Sequence, residues 1–383
     1  MLIKKACIFI ILLLASSAVL AGEIRFNGFF TAAGGLMVDS GTTYLGYDED
    51  FSFEPDSVLG IQVHSDLNEK FSLTGQFIGR GIEEFDAEIA WAFASYQATD
   101  SLKFRAGKMR APVYFYSDYL DVGYAYPWIT PPNLVYKTVP FSDFSGVDFV
   151  YSPSTGNWDT TIQGLFGRKT GTSTAVGGLA TNYDLVNMTG LNLLTANNWF
   201  QFRLGYNRAD ATIAVDSLNP LFAGLDAAGL TNVADLMRGE GHNAEFMDAA
   251  IGLDFSHFIA RAEYVFRTHE ESFFQDQTGT FLMMGFRAGS FLIHATFSHF
   301  ETDLDYEYAN LIPLGANPVY DALHANVRGV IDAQSADQDE LTVGIRYNLQ
   351  TSSALKLDVT QYEETLLPDS DVTLVRLGWN MVF

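Results

Sequence analysis

The sequence predicts an all-β protein, a closed antiparallel transmembrane barrel of sixteen strands. Three observations support this: repeated amphipathic segments of about ten residues, connections that alternate between short and long, and an amphipathic last strand that ends in an aromatic residue. The chain has 383 residues, including 31 Phe and 18 Tyr. Beyond its N-terminus the sequence has no apolar run of the ~20 residues that a transmembrane helix needs.

The N-terminus has the pattern of a secretory signal peptide. Two lysines precede a short apolar run, and small residues follow up to Ala21. We therefore expect residues 1–21 to be a signal peptide that is cleaved after Ala21, and residues 22–383 to form the mature barrel. An uncleaved anchor fits less well because the run is short for a span. The single cysteine, Cys7, lies in this leader, so we expect no disulfide in the mature chain.

The charge balance excludes one class of function. The chain carries 46 acidic and 22 basic residues, a net charge of −24, which argues against binding nucleic acid by neutralising phosphates. The sequence contains no recognisable catalytic grouping, phosphate loop or metal-ligand pattern, so it predicts neither an enzyme nor a cofactor nor a metal site. His294 and His299 fall on opposite faces of one predicted strand and cannot share a metal without a bulge.

Sixteen amphipathic segments are predicted as strands, and most are close to the roughly 9–11 residues that a tilted strand needs to cross a bilayer. In one of them, Phe258 and Tyr264 alternate with Arg261 and Glu263. Alternate residues of a strand share a face, so one face should meet lipid and the other the lumen. The predicted spans are 23–34, 57–66, 71–80, 88–97, 102–110, 146–152, 158–168, 183–194, 199–208, 245–255, 258–268, 279–288, 291–300, 340–348, 354–362 and 371–383.

The connections between these segments are short at one end of the barrel and long at the other, as in bacterial outer-membrane barrels. With sixteen strands, both chain termini lie at the short-turn end. Aromatic residues beside the short turns predict one interfacial girdle: Phe71, Trp158, Trp199, Phe258, Phe291, Tyr347 and Phe383. A second girdle at the other end is predicted to contain Phe266, Phe300 and Tyr362.

The lumen-facing positions carry many basic residues. Such a density of charge would cost several kcal/mol per group in a dry interior, so a water-filled pore is predicted, although each arginine alone also fits an ion pair across the wall. The basic residues of this parity are Arg25, Arg80, Lys103, Arg105, Arg203, Arg261, Arg287, Arg346, Lys356 and Arg376.

The last strand has a distinctive pattern. Gly378, Trp379, Met381 and the terminal Phe383 lie on an amphipathic strand. This ending resembles the C-terminal insertion signal of bacterial outer-membrane β-barrels. The resemblance implies a location in the bacterial outer membrane, with the lipid bilayer, lipopolysaccharide and the barrel assembly machinery as partners.

The connection at about 111–145 is rich in proline and tyrosine. Five of the eleven prolines of the chain lie in it, together with Trp128 and six tyrosines that include Tyr114 and Tyr116. Proline stiffens a segment that has little regular hydrogen bonding. Such aromatic density is unusual for a loop in water, so we expect this loop to pack against another part of the protein.

Taken together, these features resemble the general porins of Gram-negative outer membranes. In that family the third loop folds into the lumen and forms a constriction, where its acids face basic residues of the wall. The resemblance implies that 111–145 is the constriction loop with Asp118, Asp121 and Asp143 as its acids, and that Arg25, Arg80 and Arg105 are the nearest wall bases. Lys108 and Arg110 have the lipid-facing parity and should be turned inward by a bulge or lie at the rim. A homotrimer is also implied, although the second loop, 81–87, is too short for the usual contact between subunits.

The predicted function is passive diffusion of small hydrophilic solutes and ions through a wet channel, with a weak preference for cations. One alternative is a substrate-selective channel, in which the tyrosines of the third loop bind sugars or the arginines bind anions. Another is a closed structural or adhesion barrel, with the loops 209–244 and 301–339 as its binding surface.

Overall fold

The barrel wall contains sixteen long strands in the described part of the chain. The structure, a computed structural model, describes residues 23–176, 178–367 and 370–383, so the predicted signal peptide lies outside the described residues. The wall strands are β1 (Ile24–Met37), β2 (Val58–Asp66), β3 (Phe71–Arg80), β4 (Glu88–Thr99), β5 (Leu102–Arg110), β6 (Asp143–Tyr151), β7 (Trp158–Val176), β8 (Leu179–Ala196), β9 (Phe200–Ala214), β10 (His242–Asp254), β11 (Phe258–His269), β12 (Asp276–Ala288), β13 (Phe291–Asp303), β14 (Asp337–Gln350), β15 (Ser353–Glu364) and β16 (Val372–Val382). Ser154 and Thr155 pair with the first residues of β7 and so extend the turn between β6 and β7.

Every wall strand pairs in antiparallel fashion with its neighbours in sequence, and β1 pairs with β16, so the sheet closes. The closure ends at the C-terminal residue. The backbone N–H of Phe383 donates to the carbonyl of Gly28 at 2.9 Å, and the Gly28 N–H donates to the Phe383 carbonyl at 2.7 Å. The predicted sixteen-stranded barrel is thus confirmed.

The strand predicted at 183–194 is longer in the structure, where β8 spans Leu179–Ala196. Its register shifts against both neighbouring strands between residues 185 and 189. Asn187 lies in this interval with φ of 52°, a left-handed conformation that asparagine tolerates better than most residues. The bulge exchanges the two faces of the strand, so apolar and polar residues do not alternate regularly along the predicted segment 183–194.

The outer face of the wall is apolar and the inner face is largely polar. All seven aromatics of the predicted short-turn girdle are exposed on the outer face, with fractions between 37% and 62%. The second predicted girdle is wrong at two positions, because Phe300 and Tyr362 face inward. Loops fold over the inner face there: the Lys137 ammonium lies 4.2 Å from the Phe300 ring centroid, and Tyr44 stacks on Tyr362 at 4.4 Å.

A helical cap covers part of the long-loop end. It contains α2 (Asn219–Ala227), α3 (Thr231–Arg238), α4 (Glu307–Asn310) and α5 (Pro318–Asp332), while α1 (Asn133–Tyr136) lies between β5 and β6. Phe222, Val233 and Val327 belong to a buried apolar cluster that joins these helices. No helix among the described residues is long and apolar enough to span a membrane.

The connection between β5 and β6, residues 111–142, lies inside the wall and is called the inner loop below. Five of its aromatic residues, Tyr114, Phe115, Tyr116, Tyr126 and Trp128, are almost fully buried. They belong to the same apolar cluster as inner-face residues such as Phe281. The proline-rich loop therefore crosses the lumen and packs against the opposite wall.

Candidate functional site

Buried charges on the wall hold the backbone of the inner loop. The Lys356 ammonium donates to the carbonyls of Gly123 and Trp128. Two residues along β15, the Asp358 carboxylate accepts the backbone N–H of Ile129 at 2.8 Å. A single wall strand thus binds both donors and acceptors of the loop backbone, and charge-assisted hydrogen bonds of this kind are among the stronger ones.

Neighbouring strands add further contacts of the same kind. The Arg346 guanidinium on β14 donates to the carbonyls of Tyr124 at 2.7 Å and Tyr126 at 2.9 Å. On β13, the Thr296 hydroxyl accepts the indole N–H of Trp128 at 2.7 Å. These contacts fix the middle of the inner loop against the wall strands that follow it in the sequence.

The ends of the inner loop are held by β9 and β11. The buried Glu263 carboxylate accepts the backbone N–H of Phe115 and the hydroxyl of Tyr136, both at 2.7 Å. Arg203 donates to the carbonyl of Pro112 and also pairs with a wall carboxylate. Both ends of the loop are therefore tied to the same side of the barrel.

Three of the predicted pore-lining bases lie beneath the inner loop. Arg203, Lys356 and Arg376 are only 6%, 1% and 3% exposed. The expectation that they face an open pore is wrong, because carbonyls and hydroxyls of the loop, together with wall or loop carboxylates, satisfy their charge. The Arg376 guanidinium, for example, binds Asp56 at 3.0 Å and the Thr130 hydroxyl at 2.8 Å.

Asp121 of the inner loop is shared by two guanidiniums. It lies 3.0 Å from Arg80 and also pairs with Arg110, which stacks over the Trp91 ring. Burial acts to raise the pKa of Asp121, but the two positive charges outweigh it and hold this pKa below its ordinary value. Arg110 is the last residue of β5 and points inward where the chain leaves the wall. The structure therefore brings together Asp121 and Arg80, two of the predicted constriction residues.

The other predicted wall bases do not meet an acid of the inner loop. Arg105 pairs at 2.5 Å with Asp148 on the adjacent strand. Arg25 pairs at 2.7 Å with Asp66 near the short-turn end, and both side chains are about half exposed. Both pairs connect neighbouring strands and strengthen the wall.

The remaining predicted acids occupy different environments. Asp143 begins β6 and lies 2.7 Å from Lys169 and 3.7 Å from Lys108, so it belongs to the wall and not to the inner loop. Asp118 is exposed and forms no ion pair within the described part of the chain. Lys103 is likewise an exposed inner-face residue.

Two cavities lie between the inner loop and strands β1–β4. One, of about 380 Å³, is lined by Asp56, Arg80 and Asp121, and the other, of about 470 Å³, by Gln76 and Asp118. The loop segment 118–122 contributes residues to both, so the two cavities follow the same wall on either side of this segment.

The second cavity presents polar atoms that the protein leaves unpaired. Gln76 Oε1 and Trp91 Nε1 have no hydrogen-bond partner among the described residues. Buried polar atoms normally find partners, so these two atoms are suited to bind an ordered water molecule. Three carboxylates and one guanidinium line the two cavities together: Asp56, Asp118, Asp121 and Arg80.

A third cavity, of about 320 Å³, lies on the other side of the inner loop and has the opposite charge. Arg261, Arg287 and Arg346 line it, with Asp254 as the acid among its lining residues. Asp254 pairs with Arg287 at 2.6 Å and lies 3.6 Å from Arg261. The predicted pore bases of β11, β12 and β14 therefore gather in a basic cavity, away from the acidic one.

The fold resembles several solved outer-membrane channels at low sequence identity. The outer membrane channel DcaP of Acinetobacter baumannii matches with a TM-score of 0.60 and 8% identity, covering 94% of this chain and 97% of that chain. OmpF of Salmonella typhi, solved with daunomycin, gives 0.56 and 14%, covering 94% and 98%. The anion-selective porin from Comamonas acidovorans gives 0.55 and 11%, covering 94% and 99%.

These likenesses establish that the chain has the barrel fold of outer-membrane porins, as the sequence resemblance predicts. No model of a protein family and no curated protein matches the sequence.

Proposed function

We propose that the protein is a channel of the bacterial outer membrane through which small hydrophilic solutes and ions diffuse. The apolar outer face with its aromatic girdle fits a bilayer, and the fold shared with outer-membrane channels supports this location. The observation that carries the proposal is the pair of cavities along β1–β4, which have carboxylates and a guanidinium in their lining and lie on either side of the inner-loop segment 118–122. A solute would pass between this segment and the wall.

The charge of this route favours cations. Asp121 and Asp56 are neutralised by Arg80, Arg110 and Arg376, whereas Asp118 forms no ion pair among the described residues. A ring of charge in a narrow pore sets the preference between ions of opposite sign. We therefore expect a weak cation preference that decreases as salt screens the carboxylate.

Single-channel recording with introduced cysteines tests both the channel and its route. The predicted mature chain has no cysteine, so Gln76→Cys and Gln201→Cys each offer one thiol, in the acidic and the basic cavity respectively. We expect a charged thiosulfonate reagent to reduce the current of Gln76→Cys and to leave that of Gln201→Cys unchanged. A protein that inserts into planar bilayers but never conducts would exclude the channel. Block at Gln201→Cys alone would move the route to the basic cavity.

The proposal includes export and assembly. A signal peptide at 1–21 would direct the chain across the inner membrane, and the last strand would be recognised by the barrel assembly machinery. Trp379 and Phe383 are exposed on the outer face, at 42% and 62%, where such recognition is possible. Contact with lipopolysaccharide and assembly as a homotrimer complete the proposal. Light scattering of the detergent-solubilised protein gives the number of subunits.

The basic cavity favours a second candidate, an anion-selective channel. Three guanidiniums and one carboxylate line this cavity, and guanidiniums bind phosphate well. Here the reversal potential in a salt gradient would indicate anion preference, and phosphate added at the short-turn side would block the current. Cation preference with no effect of phosphate would remove this candidate.

A further inference from the structure

One pocket inside the barrel differs from the rest of the polar lumen. It has a volume of about 110 Å³ and lies between the two ends of the inner loop and strands β7–β11. Pro140 at its edge is exposed and Phe141 is half-buried, so the pocket is open to its surroundings there. Its lining is mainly apolar and includes Val113, Val139, Leu165, Leu185, Met188 and Phe246.

An apolar surface in a water-filled barrel is unfavourable unless something covers it. The loss is roughly 25 cal/mol for each Å² of apolar surface left in water. An apolar cavity of ~150 Å³ in another protein is known to take benzene. The size of this pocket therefore suits a small ring or a short aliphatic chain.

The pocket also contains a guanidinium that has no carboxylate within ion-pair distance among the described residues, although Asp276 acts on it at longer range. Nη1 of Arg267 donates to the carbonyl of Thr138 at 2.7 Å, whereas Nε of Arg267 is buried and has no hydrogen-bond partner within the described residues. Arg267 forms no ion pair with a described carboxylate. Glu245 is close in the sheet, but it lies on the outer face of its strand. It pairs with Thr268, which also has the outward parity.

Several other inner-face guanidiniums have an acidic partner, whereas Arg346 is held by two carbonyls of the inner loop. Arg80, Arg105, Arg203 and Arg376 each lie within 3.0 Å of a carboxylate. A guanidinium that is partly removed from water without such a partner is costly. Arg267 is therefore a suitable site for a carboxylate supplied from outside the chain, which could accept hydrogen bonds from the guanidinium.

We propose that this pocket binds a small amphipathic monocarboxylate, with its carboxylate on Arg267 and its apolar body against the surrounding side chains. A neutral apolar molecule would leave the guanidinium without an ion-pair partner. A small hydrophilic anion would leave the apolar walls in water, and a cation would be repelled. The pocket lies across the inner loop from the proposed passage, so binding does not require conduction.

Calorimetry on the full chain in lipid nanodiscs tests the proposal, with empty nanodiscs measuring the partition of each probe into lipid. The probes are 4-phenylbutyrate, its neutral amide 4-phenylbutyramide, and acetate. We expect 4-phenylbutyrate to bind about tenfold or more tightly than either of the others, because a hydrogen bond to a charged group contributes about that much. Equal affinity for the acid and its amide in the unaltered protein would overturn the proposal without any variant.

Substitutions then assign the effect to the guanidinium. Arg267→Gln should remove the advantage of the acid over the amide, and Arg267→Lys should keep part of it. Arg168→Gln is the matched control, because Arg168 is an exposed arginine that pairs with Asp184 at the rim. If Arg267→Gln folds as a barrel and retains the full preference, the proposal is wrong. Channel currents recorded on the same variants separate this result from a failure of the proposed function.

Discussion

The Oδ2 atom of Asp358 accepts the backbone N–H of Ile129 at 2.8 Å, and both residues are almost fully buried. This hydrogen bond joins the wall to the inner loop, and the neighbouring Lys356 does the same for two carbonyls of the loop. Buried charge inside this barrel therefore positions a chain segment that has little regular secondary structure. Each such contact can be tested by recording the channel current of a variant that lacks it.

Lys356→Met should loosen the inner loop. The substitution keeps an unbranched side chain, shorter by one heavy atom, but leaves the carbonyls of Gly123 and Trp128 without their cationic donor, at a cost of about 1–3 kcal/mol for each. We expect larger and noisier single-channel currents in planar bilayers. Lys103→Met, which removes the same charge from an exposed inner-face position, should leave the noise unchanged. Identical traces for the two variants would show that Lys356 does not restrain the loop.

Asp121→Asn should reduce the preference for cations. The change leaves Arg80 and Arg110 without their shared carboxylate beside the proposed passage. One charge at ~4 Å in water is worth about 1 kcal/mol, or roughly fivefold in the permeability ratio. The reversal potential in a salt gradient measures this ratio. Asp235→Asn, which makes the same change in net charge at an exposed position of the helical cap, is expected to have no effect.

The restraint that Asp121 provides should fail in acid. Its ion pairs hold the pKa of Asp121 below the ordinary 3.8 despite burial. The contribution to stability is therefore complete above the ordinary pKa and is lost as the pH falls through the lowered value. We expect the unaltered protein to conduct quietly down to about pH 4 and to become noisy below it. Asp121→Asn should lack this transition, and noise that begins near neutral pH would point to a different titrating group.

Gly81→Ala should destabilise the barrel. A Cβ at Gly81 would lie 1.9 Å from the carbonyl oxygen of Glu54, so the long loop that contains Glu54 and the short connection 81–87 would have to separate. Overpacking of this kind costs typically about 1–3 kcal/mol, which should lower the midpoint of urea unfolding in lipid vesicles. Gly75→Ala is the control, because a Cβ there would meet no described heavy atom within 4 Å. A lower midpoint for both variants would indicate a general sensitivity of the strands to alanine.

The number of strands could be predicted because the two faces of the wall meet different surroundings. On β11, for example, the apolar face contains Phe258 and Tyr264, and the face towards the lumen contains Arg261 and Glu263. The same rule fails at Phe300 and Tyr362, where loops cover the inner face and make an aromatic residue suitable there. The alternation of faces also fails at Arg110, because the strand ends at this residue and the chain turns away from the wall.

The inner loop could be predicted from its prolines and tyrosines, but its contacts could not. Lys356 and Arg346 bind backbone carbonyls, and a carbonyl has no signature in the sequence. The burial of charge under the loop has no sequence signature for the same reason. The prediction of a water-filled pore assumes that only side chains can pair with the charged groups, whereas backbone carbonyls of the loop also do so. The available signal for such a contact is a lysine, here Lys356, for which the neighbouring strands offer no acidic residue at a nearby position.

The closure of β1 on β16 has a consequence for the order of events during folding. The carboxyl-terminal residue pairs with Gly28, so nearly the whole chain must be present before the wall is complete. The side chains that hold the middle of the inner loop belong to β13–β16 and are translated after it. Contacts so distant along the chain are slow to form, so the loop is expected to be anchored late in folding. A chain that lacks its last strands would lose both its seam and the anchors of its loop.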